Sequence, residues 1–157
     1  MAARVALRPM TAEEYASYYD HSIRGFAEQM VELGGQRDAE AAWAESERQM
    51  LMLMPDGLET EGQHLLVAES EGERVGIVWV GARQDRTDLW WIWDLEIDEG
   101  LRGRGHGRAA MLAAEAYVRE HGVERLGLNV FGGNAAAIRL YSDLGYGVDA
   151  QQMSKHL

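Results

Sequence analysis

The chain has 157 residues, 46% hydrophobic and 26% charged, which is typical of a soluble globular protein folded as one domain over residues 1–157. It contains no cysteine, which excludes disulfides, thiolate metal ligands and a cysteine nucleophile, and its five scattered histidines suggest no bound metal. A net charge of −11 argues against nucleic acid or an anionic membrane as partner, and the absence of a long apolar run predicts a cytoplasmic protein.

The N-terminal third predicts a strand and two helices. A short apolar alternation predicts a strand over Arg4–Arg8, and the T-x-x-E pair of Thr11 and Glu14 is typical of a capping box. Apolar residues then recur at helical spacing until Gly34–Gly35 ends the helix. Asp38 can cap a second helix, which stops before a proline.

The middle of the chain changes to the two-residue period of strands. His64–Glu69 and Arg74–Gly81 predict a hairpin, and Leu89–Ile97 predicts a third apolar strand. An alanine-rich helix over residues 105–121 and a strand over Arg125–Phe131 follow.

The C-terminal part predicts one more helix and the end of the sheet. Asn134 can cap a helix that ends at Gly145, and Tyr146–Leu157 predicts one or two closing strands. The resulting order, β-α-α-β-β-β-α-β-α-β, predicts an α/β domain around a mixed sheet.

The most informative segment is Arg102–Arg108, with the sequence RGRGHGR, before the alanine-rich helix. A helix N-terminus has unpaired N–H groups and a partial positive charge, and glycines let a phosphate approach the main chain. The arginines add charge and bidentate hydrogen-bond donors. The segment therefore predicts an anion site, although a flexible surface turn has the same composition.

Two common phosphate-binding loops fit less well. A Walker loop needs a lysine after its last glycine, and Lys155 is the one lysine of the chain. Residues 105–110 match the dinucleotide pattern G-x-G-x-x-A, but Asp98–Leu101 separates them from the strand. In addition, Glu124 stands at the start of the next predicted strand, whereas the pattern requires an acidic residue at its end.

Residues 102–107 also match the acyl-CoA signature [Q/R]-x-x-G-x-[G/A], and the chain resembles the GCN5-related N-acetyltransferases, the GNAT superfamily. Asp94–Ile97 resembles the strand before the family's loop, and residues 129–146 resemble its second signature region. Residues 53–65 are similar to an uncharacterised bacterial branch. The resemblance implies a single-domain GNAT-like fold, with about four helices around a mixed sheet of about six or seven strands.

The resemblance further implies that acetyl-CoA is the acyl donor. The main chain of the glycine-arginine loop would hold the pyrophosphate, and the exposed edge of the preceding strand would pair with the pantetheine amides where two strands splay apart. The implied cofactor-binding residues are Leu95, Ile97, Arg102, Gly103, Arg104, Gly105, His106, Gly107, Arg108 and Asn134.

Two residues are the candidates for proton transfer. Tyr141 follows Asn134 by seven residues, the spacing of the family's general-acid tyrosine, although it also falls on the apolar face of its helix and can be a core residue. Odd positions of the strand over Leu89–Ile97 are apolar and predicted to face the core, whereas its even positions become acidic toward the loop. Glu96 is therefore the candidate general base, with Asp94 in reserve.

The expected activity is acetyl transfer to a primary amine of a small molecule or peptide, and the alternative is a non-catalytic acyl-CoA sensor. Residues 1–61 hold 12 acidic and 5 basic side chains, a net charge of −7, and by resemblance form much of the acceptor wall. This charge favours a cationic acceptor, unless it serves solubility alone. Small members of the family often dimerise, so a homodimer is a further expectation.

Overall fold

The computed structural model describes residues 2–32, 37–83 and 86–157, which form five strands and four α-helices. The predicted end of the first helix, Gly34–Gly35, lies outside the described residues. In chain order the elements are β1 (Ala6–Pro9), α1 (Ala12–Glu32), α2 (Ala39–Leu53), β2 (Gln63–Ser70), β3 (Glu73–Arg83), β4 (Arg86–Ile97), α3 (His106–Glu120), β5 (Arg125–Leu128) and α4 (Ala135–Asp143).

Side-chain caps begin three of the helices where the sequence predicts them. The Thr11 N–H donates to Glu14 Oε2 at 2.8 Å and the Glu14 N–H donates to the Thr11 hydroxyl at 3.2 Å, which is a reciprocal capping box. Asp38 and Asn134 cap α2 and α4, because their side-chain oxygens accept N–H groups of the first helical turn.

The strands form one mixed sheet in chain order, and helices cover both of its faces. The pairs from β1 to β4 are antiparallel, while α3 is the crossover that makes β5 parallel to β4. On one face Leu66 of β2 packs in a cluster with Met111 of α3. On the other face its neighbour Val67 packs in a cluster with Tyr18 of α1.

A β-bulge interrupts β4 at Trp93. Trp79 of β3 lies opposite Asp94, whereas the next residue, Val80, lies opposite Ile92. Trp93 is therefore an extra residue, and the faces exchange there, because a one-residue shift moves every later side chain to the other face. Ile92 and Ile97 consequently pack in the same cluster. The prediction that odd positions share one face is wrong.

The sheet has five strands instead of about six or seven, because residues 146–157 form no strand. β5 is also shorter than predicted and ends at Leu128. A four-residue edge strand provides few main-chain groups for a further strand, and the widely spaced Val148, Met153 and Leu157 stay exposed. The closing strands are thus a wrong prediction, whereas the α/β class is confirmed.

Candidate active site

β4 is longer than its parallel neighbour β5, which leaves part of its edge open. Leu89–Ile92 pairs with Arg125–Leu128, and β4 then continues to Ile97. Residues 94–97 pair with β3 on one side but, within the described part of the chain, have no strand partner on the other. The bulge at Trp93 lies where the pairing with β5 stops.

The main-chain groups of Leu95 and Ile97 point toward this open edge. The Asp98 N–H donates to the Val75 carbonyl, at 2.9 Å, on the β3 side. Main-chain groups of successive strand residues alternate between the two edges, so those of Leu95 and Ile97 point away from β3. The Ile97 carbonyl accepts a hydrogen bond from Arg102 Nε at 2.9 Å, which connects the strand end to the glycine-arginine loop.

The loop and the first turn of α3 present a row of main-chain donors. Gly103 and Gly105 have φ values of +73° and +85°, in the left-handed region that favours glycine. Among the described residues, no group accepts a hydrogen bond from the main-chain N–H groups of Gly103 to Arg108. The buried Nδ1 of His106 likewise has no partner there. These donors fit an anion with several oxygen atoms, such as a pyrophosphate.

The first turn of α3 contacts both β4 and α4. A Cβ atom on Gly107 would lie 3.6 Å from Leu140 Cδ2 of α4 and 3.8 Å from Ile97 Cγ1 of β4. Arg104 and Arg108 are exposed beside it and form no ion pair with a described residue. The strand end, the loop and the start of α3 therefore lie next to α4.

Two side chains of α1 bind the acidic residues at the end of β4. The Tyr18 hydroxyl donates to Asp94 Oδ2 at 2.8 Å, and His21 Nε2 lies 2.9 Å from Glu96 Oε2. Arg102 reaches the other carboxylate oxygen of Glu96, at 3.6 Å. The bulge makes this arrangement possible, because it turns Asp94 and Glu96 toward α1.

The two carboxyl groups have different surroundings. Burial raises the pKa of Asp94 to about 6, and the charge of Glu96 adds to this effect, although the Tyr18 hydrogen bond opposes it. The Glu96 side chain is 35% exposed and is flanked by His21 and Arg102. Asp94 is thus a partly protonated group near neutral pH, whereas Glu96 has cationic or hydrogen-bonding partners for its charge.

Tyr141 on α4 faces the same region. Its hydroxyl forms no hydrogen bond with a described residue. Burial raises the pKa of Tyr141 above its ordinary value, and the charge of Asp94 raises it further. The ring packs against the apolar cluster beneath α3, as its position on the apolar face of the helix predicts. Asn134 starts α4 as its cap, with Oδ1 occupied by the Ala137 N–H.

Tyr18 and His21 contact the candidate site residues, although the sequence did not predict either of them there. The helical spacing of the tyrosines in α1 assigned Tyr18 to the core, and it is indeed buried, but its hydroxyl bonds to a carboxyl group. Their separation of three residues places Tyr18 and His21 on one helix face, which is the signal that could have paired them with alternate acidic residues of a strand. Without the bulge, Asp94 and Glu96 would face the opposite side of the sheet, so this spacing alone could not pair them with α1.

The environment of Asp94 leads to a prediction about stability. A carboxyl group with a raised folded-state pKa binds more protons in the folded than in the unfolded state between about pH 4 and pH 6, so its contribution to the free energy of unfolding is lost as the pH rises through that window. We expect Asp94→Asn to raise that free energy by about 1–2 kcal/mol at pH 7. Urea unfolding at pH 4 and pH 7 checks this, because the two proteins should be equally stable at pH 4, and equal stability at pH 7 would contradict it.

Neither a metal-binding cluster nor a membrane-spanning helix is present in the described residues. Within residues 2–32, 37–83 and 86–157, no group of three or more histidine, aspartate or glutamate side chains is placed to hold a metal ion. None of the helices described is long and apolar enough to cross a membrane.

Comparison with known proteins connects this geometry to a family. The family described as Acetyltransferase (GNAT) matches residues 20–146. The uncharacterised N-acetyltransferase YycN of Bacillus subtilis is 31% identical over 161 aligned residues, which cover 98% of this chain and 99% of YycN. YdgE, from the same organism, is 30% identical over 153 residues and covers 96% and 97%.

Solved structures give the same result. The crystal structure of YycN superposes with a TM-score of 0.91 at 32% identity, covering 98% of each chain. The aminoglycoside N-acetyltransferase AAC(6')-Iy, in complex with CoA, has a TM-score of 0.58 at 15% identity, covering 100% of this chain and 97% of that one. At that identity the second similarity shows the fold alone.

Proposed function

This chain belongs to the acetyltransferase (GNAT) family and is an acetyltransferase, and we propose that it moves an acetyl group from acetyl-CoA to a primary amine of a small molecule or peptide. One observation carries the proposal. The open edge of β4 lies beside a row of six main-chain N–H groups that have no acceptor among the described residues. Both features lie beside α4, the helix that carries Tyr141.

The binding of the donor follows from these main-chain groups. The N–H groups of residues 103–108 hold the pyrophosphate at the positive end of α3, and Arg104 and Arg108 add charge. Leu95 and Ile97 present main-chain groups to the amides of the pantetheine arm, as a strand does to an added strand. The Asn134 side chain keeps its NH₂ group for a further contact, since its oxygen caps α4.

The side chains around the end of β4 then supply the proton transfers. An ammonium must lose a proton before its nitrogen can attack, and Glu96 is the proposed base, either directly or through a mediating group. Nitrogen forms its bond to the acetyl carbon as the carbon–sulfur bond breaks. Tyr141 donates its phenolic proton to the leaving sulfur, and the proton left on the new amide nitrogen restores the phenol.

The charges of the acceptor side favour a cationic amine. Asp94 and Glu96 face α1, which lies in the part of the chain that carries a net charge of −7. An acidic surface concentrates cations and repels anions, and salt screens exposed charges beyond about 8 Å at 0.15 M. Polyamines, aminoglycosides and basic peptides are therefore the proposed acceptor class.

An acceptor screen that follows thiol release tests the proposal. We expect higher kcat/KM for spermidine or a lysine peptide than for an amine beside a carboxylate, such as glutamate, and a smaller ratio between the two in 0.5 M than in 0.05 M salt, because the interaction is electrostatic. Equal efficiency at low salt would contradict the cationic preference. Absence of thiol release with every amine would contradict the proposed function itself.

A further inference from the structure

The proton acceptor at the end of β4 involves a residue of α1. We infer that the imidazole of His21 takes the proton from the acceptor ammonium through its Nδ1 atom, and that Glu96 orients this imidazole and stabilises its charged form. The inference rests on the proposed function and assigns the base within it. It starts from the 2.9 Å distance between His21 Nε2 and Glu96 Oε2.

The chemistry of the pair decides which nitrogen carries the proton. An ionised carboxylate can only accept hydrogen bonds, so His21 Nε2 must be the donor. A neutral imidazole then has its lone pair on Nδ1, and no group of the described residues forms a hydrogen bond with that atom. The His21 side chain is 62% exposed, so Nδ1 can meet an incoming amine and later release its proton to water.

The surroundings of the two side chains favour His21 over Glu96 as the residue that accepts the proton. Histidine is the residue that most often serves as a general base, because a neutral imidazole has one unprotonated nitrogen that can take a proton. Arg102 lies 3.6 Å from the second carboxylate oxygen of Glu96, so both oxygens of Glu96 already have a partner, whereas His21 Nδ1 has none among the described residues. Asp94 is already engaged by the Tyr18 hydroxyl on the adjacent turn of α1.

The proton balance follows directly. The ammonium loses one proton to His21 Nδ1, which makes an imidazolium paired with the Glu96 carboxylate. The neutral amine attacks the thioester carbon and the carbon–sulfur bond breaks, while the second nitrogen proton replaces the one that Tyr141 gives to sulfur. The imidazolium then returns its proton to water, so that amide, free thiol and one proton are the products.

His21→Gln tests this assignment, because glutamine can still donate to Glu96 but cannot take a proton. The probes are the most active amine of the acceptor screen and its 2,2-difluoro analogue, whose weakly basic nitrogen is largely uncharged at pH 7.5. We expect kcat for the first amine to fall about 100-fold, the lower end of general-base effects. The difluoro analogue needs no base, so its kcat should be nearly unchanged.

Three comparisons keep the result unambiguous. His156→Gln, in the exposed C-terminal tail, is the matched control and should behave like the wild type. Adding His21→Gln to Glu96→Gln should cause little further loss, because residues that act as one unit are not additive. In ¹⁵N spectra of the wild type at neutral pH, the His21 ring should be protonated at Nε2, and Glu96→Gln should weaken that preference.

Each outcome has a distinct meaning. Wild-type rates for His21→Gln with both amines, an equal loss with both, or a His21 ring protonated at Nδ1 would overturn the assignment while the acetyltransferase activity stands. A wild type without turnover for any amine would instead overturn the proposed function, and the base assignment with it.

Discussion

Replacing Tyr141 by phenylalanine is expected to lower kcat by two to four orders of magnitude, the usual contribution of general acid catalysis. The change removes one oxygen atom and keeps the ring that packs beneath α3. Because the hydroxyl has no hydrogen-bond partner among the described residues, no structural interaction is lost with it. Coenzyme A affinity and thermal stability should therefore stay close to those of the wild type.

The measurement is single-turnover acetyl transfer, which isolates chemistry from product release. Tyr146→Phe is the matched control, because the Tyr146 ring lies 6.0 Å from that of Tyr141 and its hydroxyl donates to Glu115 instead. Tyr146→Phe should lower the thermal stability and leave the single-turnover rate unchanged. Burial also raises the pKa of Tyr141, which favours the protonated phenol that the proposed acid role requires. A single-turnover rate unaffected by Tyr141→Phe would show that Tyr141 is a packing residue and not the general acid.

Gly105→Val is expected to weaken coenzyme A binding by at least about 100-fold, equivalent to losing two charge-assisted hydrogen bonds of roughly 1.5–3 kcal/mol each. Gly105 has a φ of +85° and begins α3, so a branched side chain there forces the main chain to move and places atoms where the anion would approach. An added Cβ meets only Ala3 Cβ, at 3.8 Å, so no clash within the protein is responsible.

Isothermal titration with coenzyme A measures this effect, and Gly122→Val provides the control. Gly122 lies at the opposite end of α3 with a φ of +77° and no atom within 4 Å of an added Cβ. Both variants should lose about 1–2 kcal/mol or more of stability, because both place a branched residue in the left-handed region. Only Gly105→Val should lose binding, and equal affinity in the two variants would show that the anion binds elsewhere.

The local sequence by itself determined the helix starts and the glycine loop after β4, because the interactions that form them span only a few residues. Helix caps are such interactions, because they join atoms only two or three residues apart and can therefore be predicted from the sequence pattern. They include the capping box of Thr11 and Glu14 and the caps at Asp38 and Asn134. The glycines of the loop after β4 were recognisable for the same reason, since a positive φ at Gly103 and Gly105 is a property of one residue. The family resemblance, which was read from that loop and its surroundings, is confirmed.

The tertiary structure alone decided which side chains meet at the site. The bulge at Trp93 depends on the register between β3 and β4, and no spacing within β4 reveals it, yet it determines that Asp94 and Glu96 face α1. Tyr18 and His21 are more than 70 residues away from those carboxyl groups in sequence. The open edge of β4 arises because β5 ends after four residues, and its length depends on what packs around it. Pairing between distant segments is set by the packing of the whole sheet, which local periodicity does not encode.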